Sequence, residues 1–221
     1  MTDSATQRTN MVESQIRPSD VTDRRILRAM QQVARERFVP QEFAQLAYMD
    51  DQVPLSAAPG QAHTRRLISP RTLAKLLQTA AVEEGDTALV VGAGRGYGAA
   101  ILALLARRVI ALECDQVLAA AARAELTAIS NITLVTGPLP AGSPTNAPFN
   151  AILLEGAVFE PPSALLDQLA PEGRLVGLLQ DGAICRAICW QRTGGHTGRK
   201  DLFEAAAGAL PGFEPKLSFV F

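Results

Sequence analysis

The chain has 221 residues, 48% of them hydrophobic and 5% aromatic, and its 21 Lys and Arg against 22 Asp and Glu give a formal net charge of −1. That length carries one full hydrophobic core, and the near-neutral balance argues against nucleic acid or an anionic membrane as the main partner. No apolar run approaches the roughly 20 residues of a bilayer span, and the polar N-terminus shows no apolar leader, so a cytoplasmic protein is expected.

The first ten residues read as frayed. Pro18-Ser19-Asp20 then opens a helical stretch in which Ile26, Leu27, Met30 and Val33 recur at helical spacing, ended by Phe38-Val39-Pro40. A short second helix is expected over 41–48, and a loop over 50–61, which carries Pro54, Pro59 and Gly60. Ser69-Pro70 is a helix start with proline at the first helical position, and the helix runs through Leu73, Leu76 and Leu77 to Gln78. From there strand, turn and helix repeat. Strands are expected at 88–91, 109–112, 132–135, 149–154 and 174–179, with helices at 97–106, 116–126 and 162–169. Apolar strands without alternation, separated by helices, predict an α/β protein with a doubly wound, mostly parallel sheet covered on both faces. Past 179 the helices thin out. Residues 183–192 read as a strand, Thr193-Gly194-Gly195 as a turn, 202–213 as ambiguous, and 217–221 as an antiparallel closing strand at the sheet edge. Cys114, Cys185 and Cys189 are too scattered for a disulfide framework, and with His63 and His196 they complete no metal-ligand spacing, so no metal is expected.

The strand at 88–91 runs straight into Gly92-Ala93-Gly94-Arg95-Gly96-Tyr97 and a helix. Such a loop lets a nucleoside-bearing ligand lie close to the backbone at the helix N-terminus, on the carboxyl edge of the sheet. Glu113, at the end of the next strand, is placed to accept hydrogen bonds from ribose hydroxyls. Glycine-rich turns also serve tight packing, and a strand-end acid also stands in solvent. The dinucleotide fingerprint would need glycine where Tyr97 stands, which disfavours a nicotinamide cofactor; the spacing is the methyltransferase variant.

With these residues the chain resembles the protein-L-isoaspartate O-methyltransferases. The likeness runs through Met11-Val12-Glu13-Ser14-Gln15, Ile26-Leu27-Arg28-Ala29-Met30 and Arg35-Glu36-Arg37-Phe38-Val39-Pro40. It resumes at Ser69-Pro70, at Gly92 through Tyr97, at Asn131-Ile132 and at Ala147-Pro148-Phe149-Asn150-Ala151-Ile152. Gln168-Leu169-Ala170-Pro171-Glu172-Gly173-Arg174-Leu175-Val176 completes it. The resemblance implies a Rossmann-like methyltransferase fold of seven strands. An N-terminal helical extension and substrate loop would cover 1–78 and a methyltransferase-like domain 79–221, together one globular unit. It implies S-adenosylmethionine as cofactor, held at Gly92, Gly94, Gly96, Tyr97 and Glu113. It also implies methyl transfer to the carboxylate of isoaspartyl residues in damaged proteins. A carboxylate with a pKa of about 4 is ionised at neutral pH, so that reaction requires no general base.

The chain departs from the family at positions that matter. Val90 stands where the family has an acid, Arg95 where it has a small or hydroxyl residue, and Gly137-Pro138-Leu139 where it has Gly-Asp-Gly. Ile68 takes the place of the serine that contacts the acceptor carboxylate. Ser69 and Arg66 are the remaining catalytic candidates. Ser69 also suits a helix cap, and Arg65 or Arg66 either forks a carboxylate or stands in solvent. Three functions stay open: an isoaspartyl methyltransferase with a drifted site, a degenerate relative acting as a nucleoside-binding, regulatory or scaffolding protein, and a methyltransferase on another acceptor. Weak or absent turnover on isoaspartyl peptides is expected from these substitutions.

Overall fold

The computed structural model describes residues 3–56 and 65–214. Helix α1 (Ser4–Met11) lies where fraying was expected. Its residues are mostly polar, and its anchor is the burial of Met11, followed by that of Val12 and Ile16 in the π-helical turn Val12–Ile16. Tertiary burial of one face holds a helix that propensity alone would leave marginal. Helix α2 (Arg24–Gln32) buries Ile26, Leu27, Ala29 and Met30, and the Asp23 carboxylate caps it by accepting from the Arg25 amide at 2.8 Å. The Arg25 guanidinium, which donates to the same carboxylate, and that amide together hold the Asp23 carboxyl below its ordinary value. Short 3₁₀ helices follow at Arg35–Phe38 and Gln41–Leu46.

Inside the loop expected at 50–61 lies β1 (Val53–Pro54), which forms a small antiparallel ribbon with β2 (Arg66–Leu67) beyond that loop. The Leu55 amide donates to the Arg65 carbonyl at 2.9 Å and lengthens its ladder. Helix α3 (Pro70–Ala80) begins where Ser69-Pro70 predicts, with the Ser69 hydroxyl accepting from the Thr72 amide at 3.3 Å.

The large sheet is then laid down as β3 (Thr87–Val91), α4 (Tyr97–Leu102), β4 (Arg108–Glu113), α5 (Gln116–Leu126) and β5 (Ile132–Thr136). It continues as β6 (Phe149–Val158), α6 (Ser163–Leu166), β7 (Leu169–Asp181), β8 (Ile184–Thr193) and β9 (His196–Glu204). Its order is β5-β4-β3-β6-β7-β8-β9. Strands β3 to β7 pair in parallel, and β8 and β9 pair antiparallel. The seven-stranded, mostly parallel α/β sheet is thus the one the sequence pattern predicts. The expected strand at 217–221 lies outside the described residues, and the seventh strand of the sheet is β9.

Alternate residues of the central strands feed two cores. Ala88, Val90, Ala111, Leu153 and Val176 join the core shared with the N-terminal helices, whereas Leu89, Val91, Ile110, Leu112 and Ile152 join the other. Both faces are buried, which is why these strands read as unbroken apolar runs. From β3 the chain moves outward to β4 and β5, then returns to β6 on the opposite side of β3. The carboxyl end of β3 is therefore the topological switch point, where open α/β sheets leave a crevice for ligands. Among the described residues no helix is long and apolar enough to cross a membrane.

Candidate functional site

The turn leaving β3 carries Gly92, Gly94 and Gly96 through φ of +75°, +57° and +100°. Glycine enters that region without the Cβ clash that other residues meet. Space adds a second requirement. A Cβ built on Gly92 would lie 2.5 Å from the Leu210 side chain and 2.9 Å from the Arg65 guanidinium, and one on Gly96 would lie 2.8 Å from Leu126. The loop opens α4, whose first N–H groups have no partner within the helix.

Glu113 closes β4 and is fully buried. Its Oε1 accepts from the Cys114 amide at 2.8 Å, the Asp115 amide at 3.0 Å and Arg65 Nη1 at 3.1 Å. Its Oε2 accepts from the Gly94 amide at 2.7 Å and Arg65 Nη2 at 3.2 Å. The same Nη2 donates to the Gly92 carbonyl at 2.8 Å. The guanidinium thus bridges the strand-end acid and the first loop glycine. The β1–β2 ribbon delivers it: Arg65 and Leu67 face the protein, and Arg66 between them is exposed. Leu55, from the other side of the ribbon, lies over Gly94, at 2.6 Å from a Cβ built there.

A second acid, Glu155, comes from the middle of β6 and packs against Gly98 in the first turn of α4. Burial pushes its carboxyl up to about 8, against the pull of the Arg65 and Arg35 guanidiniums. Arg35 is wholly buried and donates to the carbonyls of Ala47 and Ile68, each at 2.7 Å. Its guanidinium lies 4.9 Å from the centre of the Tyr97 ring, and that ring is 5.6 Å from Phe38. Burial lowers the Arg35 pKa and raises that of the Tyr97 hydroxyl.

The residues singled out from the sequence divide accordingly. Gly92, Gly94, Gly96 and Glu113 come together. Tyr97 packs into the core beneath α4, with its side chain fully buried. Ser69 is the N-cap of α3, and its hydroxyl also donates to the Thr72 hydroxyl at 2.9 Å. It lines a cleft of about 440 Å³ with Asp50, Arg71, Lys75 and Phe203, and no residue of the glycine loop borders that cleft. Arg66 is exposed and donates to the Gln52 carbonyl at 3.4 Å. Val90 and Ile68 are core residues, and Pro138 is exposed at the start of a 3₁₀ turn. The cation set against the loop glycines from outside is Arg65, whose Nη2 donates to the Gly92 carbonyl. Leu210 carries no sequence signal of a role here, whereas Glu155 is an acid inside the apolar run of β6 and a visible anomaly.

The backbone at this switch point suits S-adenosylmethionine: three glycines beneath a helix N-terminus, with an acid one strand away. In this arrangement Arg65 occupies the Glu113 corner, and the Leu210 and Leu55 side chains approach Gly92 and Gly94 closely. Among the described residues no group of three or more His, Cys, Asp or Glu is arranged to hold a metal.

A family model described as protein-L-isoaspartate(D-aspartate) O-methyltransferase matches residues 6–195. A protein-L-isoaspartate O-methyltransferase of Methylorubrum populi is 44% identical over 177 residues, which are 80% of each chain. One from Herpetosiphon aurantiacus is 37% identical over 190 residues, 85% of this chain and 82% of the relative. Among solved structures, one protein-L-isoaspartate O-methyltransferase superposes with a TM-score of 0.80 at 18% identity, over 95% of this chain and 66% of that one. One from Plasmodium falciparum, in complex with S-adenosyl-L-homocysteine, gives 0.75 at 18% identity over 94% of this chain and 97% of the other. The structural likeness shows a common fold, and the sequence matches go further: the chain belongs to the protein-L-isoaspartate O-methyltransferase family.

Proposed function

We propose that the protein transfers a methyl group from S-adenosylmethionine to the carboxylate of isoaspartyl residues in proteins. The observation that carries this reading is the three-glycine turn at the switch point with Glu113 beside it, in a chain matched by the family model over 6–195. Neither the family match nor the relatives favour the degenerate-scaffold alternative. The reading includes a cytoplasmic location, where three free cysteines stay reduced.

When bound, S-adenosylmethionine supplies an electrophilic methyl group on a sulfonium. An ionised carboxylate acceptor would need no base, so the part left to this chain is position and exclusion of water. Gly92, Gly94 and Gly96 let a ligand approach the backbone closely. Glu113, to which Arg65 donates in this structure, would be the acceptor for ribose hydroxyls. Tyr97 supports the first turn of α4 from the core side. On the acceptor side the chain offers Ser69 and Arg66. The Ser69 hydroxyl is engaged by Thr72, which leaves Arg66 as the freer donor for a carboxylate. Replacing Arg66 with Ala is expected to raise KM for the acceptor peptide several-fold while leaving cofactor affinity alone.

The test is transfer of labelled methyl to an isoaspartyl peptide beside its aspartyl twin. Labelling of the first only supports the assignment. Equal labelling of both points to another acceptor, and labelling of neither by cofactor-loaded protein rejects the reading.

A further inference from the structure

We propose that Arg65 is an internal competitor for the cofactor seat, so that S-adenosylmethionine binds by exchanging places with a side chain of the protein itself. The inference rests on the methyltransferase reading and adds what limits cofactor affinity in this chain.

A carboxylate offers about four lone-pair sites. Glu113 already receives five N–H groups: three backbone amides, from Gly94, Cys114 and Asp115, and two from the Arg65 fork. Nothing remains for two ribose hydroxyls. The three amides are fixed by the end of β4 and by the glycine loop, and the Cys114 thiol, 3.5 Å from Oε1, is a weak donor, so among the described residues Arg65 is the strong donor able to leave. Its position is that of a stopper. Its side chain keeps 9% of its exposure and that of Glu113 keeps none, so the guanidinium lies on the solvent side of the pair. An incoming nucleoside meets Arg65 before it meets Glu113.

The charge is also suited to substitution. Arg65 Nη2 donates to the Gly92 carbonyl as well as to Glu113, placing a cation at a corner made of a carboxylate and a carbonyl oxygen. S-adenosylmethionine is itself cationic at its sulfonium and its amino group. With Arg65 in place, Glu113 is compensated without a ligand, which a buried carboxylate requires if the fold is to persist. The seat is thus stable when closed, and its apparent affinity is the intrinsic affinity reduced by the fraction of molecules in which Arg65 has left.

The experiment is calorimetric titration of the full chain with S-adenosylhomocysteine, for the wild type, Arg65→Met and Arg65→Lys. Arg199→Met, on the far edge strand, controls for loss of a positive charge. Arg65→Met is expected to bind about ten-fold or more tightly than the wild type, the gain that corresponds to a closed fraction of nine-tenths or more. Arg65→Lys falls between, since one ammonium cannot make the whole fork, and Arg199→Met matches the wild type. A merely structural arginine would give weaker or unchanged binding when replaced. If Arg65→Met does not fold, Arg65→Lys decides: tighter than wild type supports the competitor, equal or weaker overturns it. Equal affinity in all proteins overturns the competitor and leaves the cofactor reading standing. Binding by none of them overturns both.

Discussion

Glu113 is a carboxylate with no exposure, and its neighbours repay its desolvation only as a set. Removing one partner of such a pair leaves the other charge buried alone. Glu113→Ala is expected to lower the free energy of unfolding by about 3–5 kcal/mol in a urea titration. The double variant Arg65→Met with Glu113→Leu should recover much of that loss, because the second charge goes too; additive losses would show that the two side chains do not act as a pair. Glu155 makes a different claim. Its folded pKa of about 8 lies above its unfolded value near 4.5, so the folded state holds the proton more tightly. Its contribution is fully present below the unfolded value and is lost as pH rises through that window. Glu155→Gln is expected to gain stability over the wild type between pH 5 and 8 and to hold a constant margin above that; a margin that shrinks with pH would contradict the assignment. Both sites bear on what a sequence reveals. Strand alternation places Arg65 on the face of buried Leu67 and Arg66 on the other, so the inward arginine could be read once the ribbon was recognised. Two residues per strand are too few to announce a ribbon. That Arg65 would meet Glu113, 48 positions away, depends on tertiary placement that no local pattern carries.

The elements that read clearly are those whose period is set by burial. Helix α5 matches its expected span, and β3, β4 and β5 lie within one residue of theirs; β3 and β4 are buried apolar runs, and α5 buries Leu118, Ala119, Ala122 and Leu126 at helical spacing. The misplaced elements lack that signal. Strand β9 is an exposed edge, and His196, Thr197, Gly198, Arg199, Lys200 and Asp201 give no apolar alternation. Such charges keep an edge from pairing with another chain, and they also hide a strand from a hydrophobic pattern. Helix α1 is held by burial at its C-terminal end rather than by its own composition. At this scale the glycine turn and the α3 cap separate function from folding. Ser69→Ala should cost about 0.5–2 kcal/mol of stability, the usual worth of an N-cap. If it also lowers methyl transfer well beyond the fraction unfolded, the hydroxyl works on the acceptor and not only on the helix. Gly92→Ala faces a positive φ together with close approach by Leu210 and Arg65. A loss of about 1–3 kcal/mol is expected from the backbone strain alone, read as a lower melting temperature and weaker S-adenosylhomocysteine binding.

On the scale of the molecule, the N-terminal helices and the sheet are joined through one core rather than hung on a linker. Met11, Ile16, Ile26 and Met30 belong to the same buried cluster as Val90, Ala111, Leu153 and Val176. Arg35 adds a polar tie, bonded to the carbonyls of Ala47 and Ile68 and resting on the Tyr97 ring of α4. Two packed layers around a common core unfold as one unit when neither retains a sufficient core of its own. Met30, with no exposure, sits in α2, and Trp190, the single tryptophan, sits in β8 within the core on the other face of the sheet. Met30→Ala creates a cavity whose cost is about 2–5 kcal/mol. If the extension and the sheet form one cooperative unit, the urea transition followed by Trp190 fluorescence shifts to lower denaturant by that full amount with an unchanged slope. If the extension is a separate unit, Trp190 reports the wild-type midpoint while far-ultraviolet circular dichroism shows an earlier loss of helix. Coincident, shifted transitions are the expected result, because Leu55, which lies over Gly94, and Arg65, which pairs Glu113, come from the N-terminal portion, and the glycine and the acid come from the sheet.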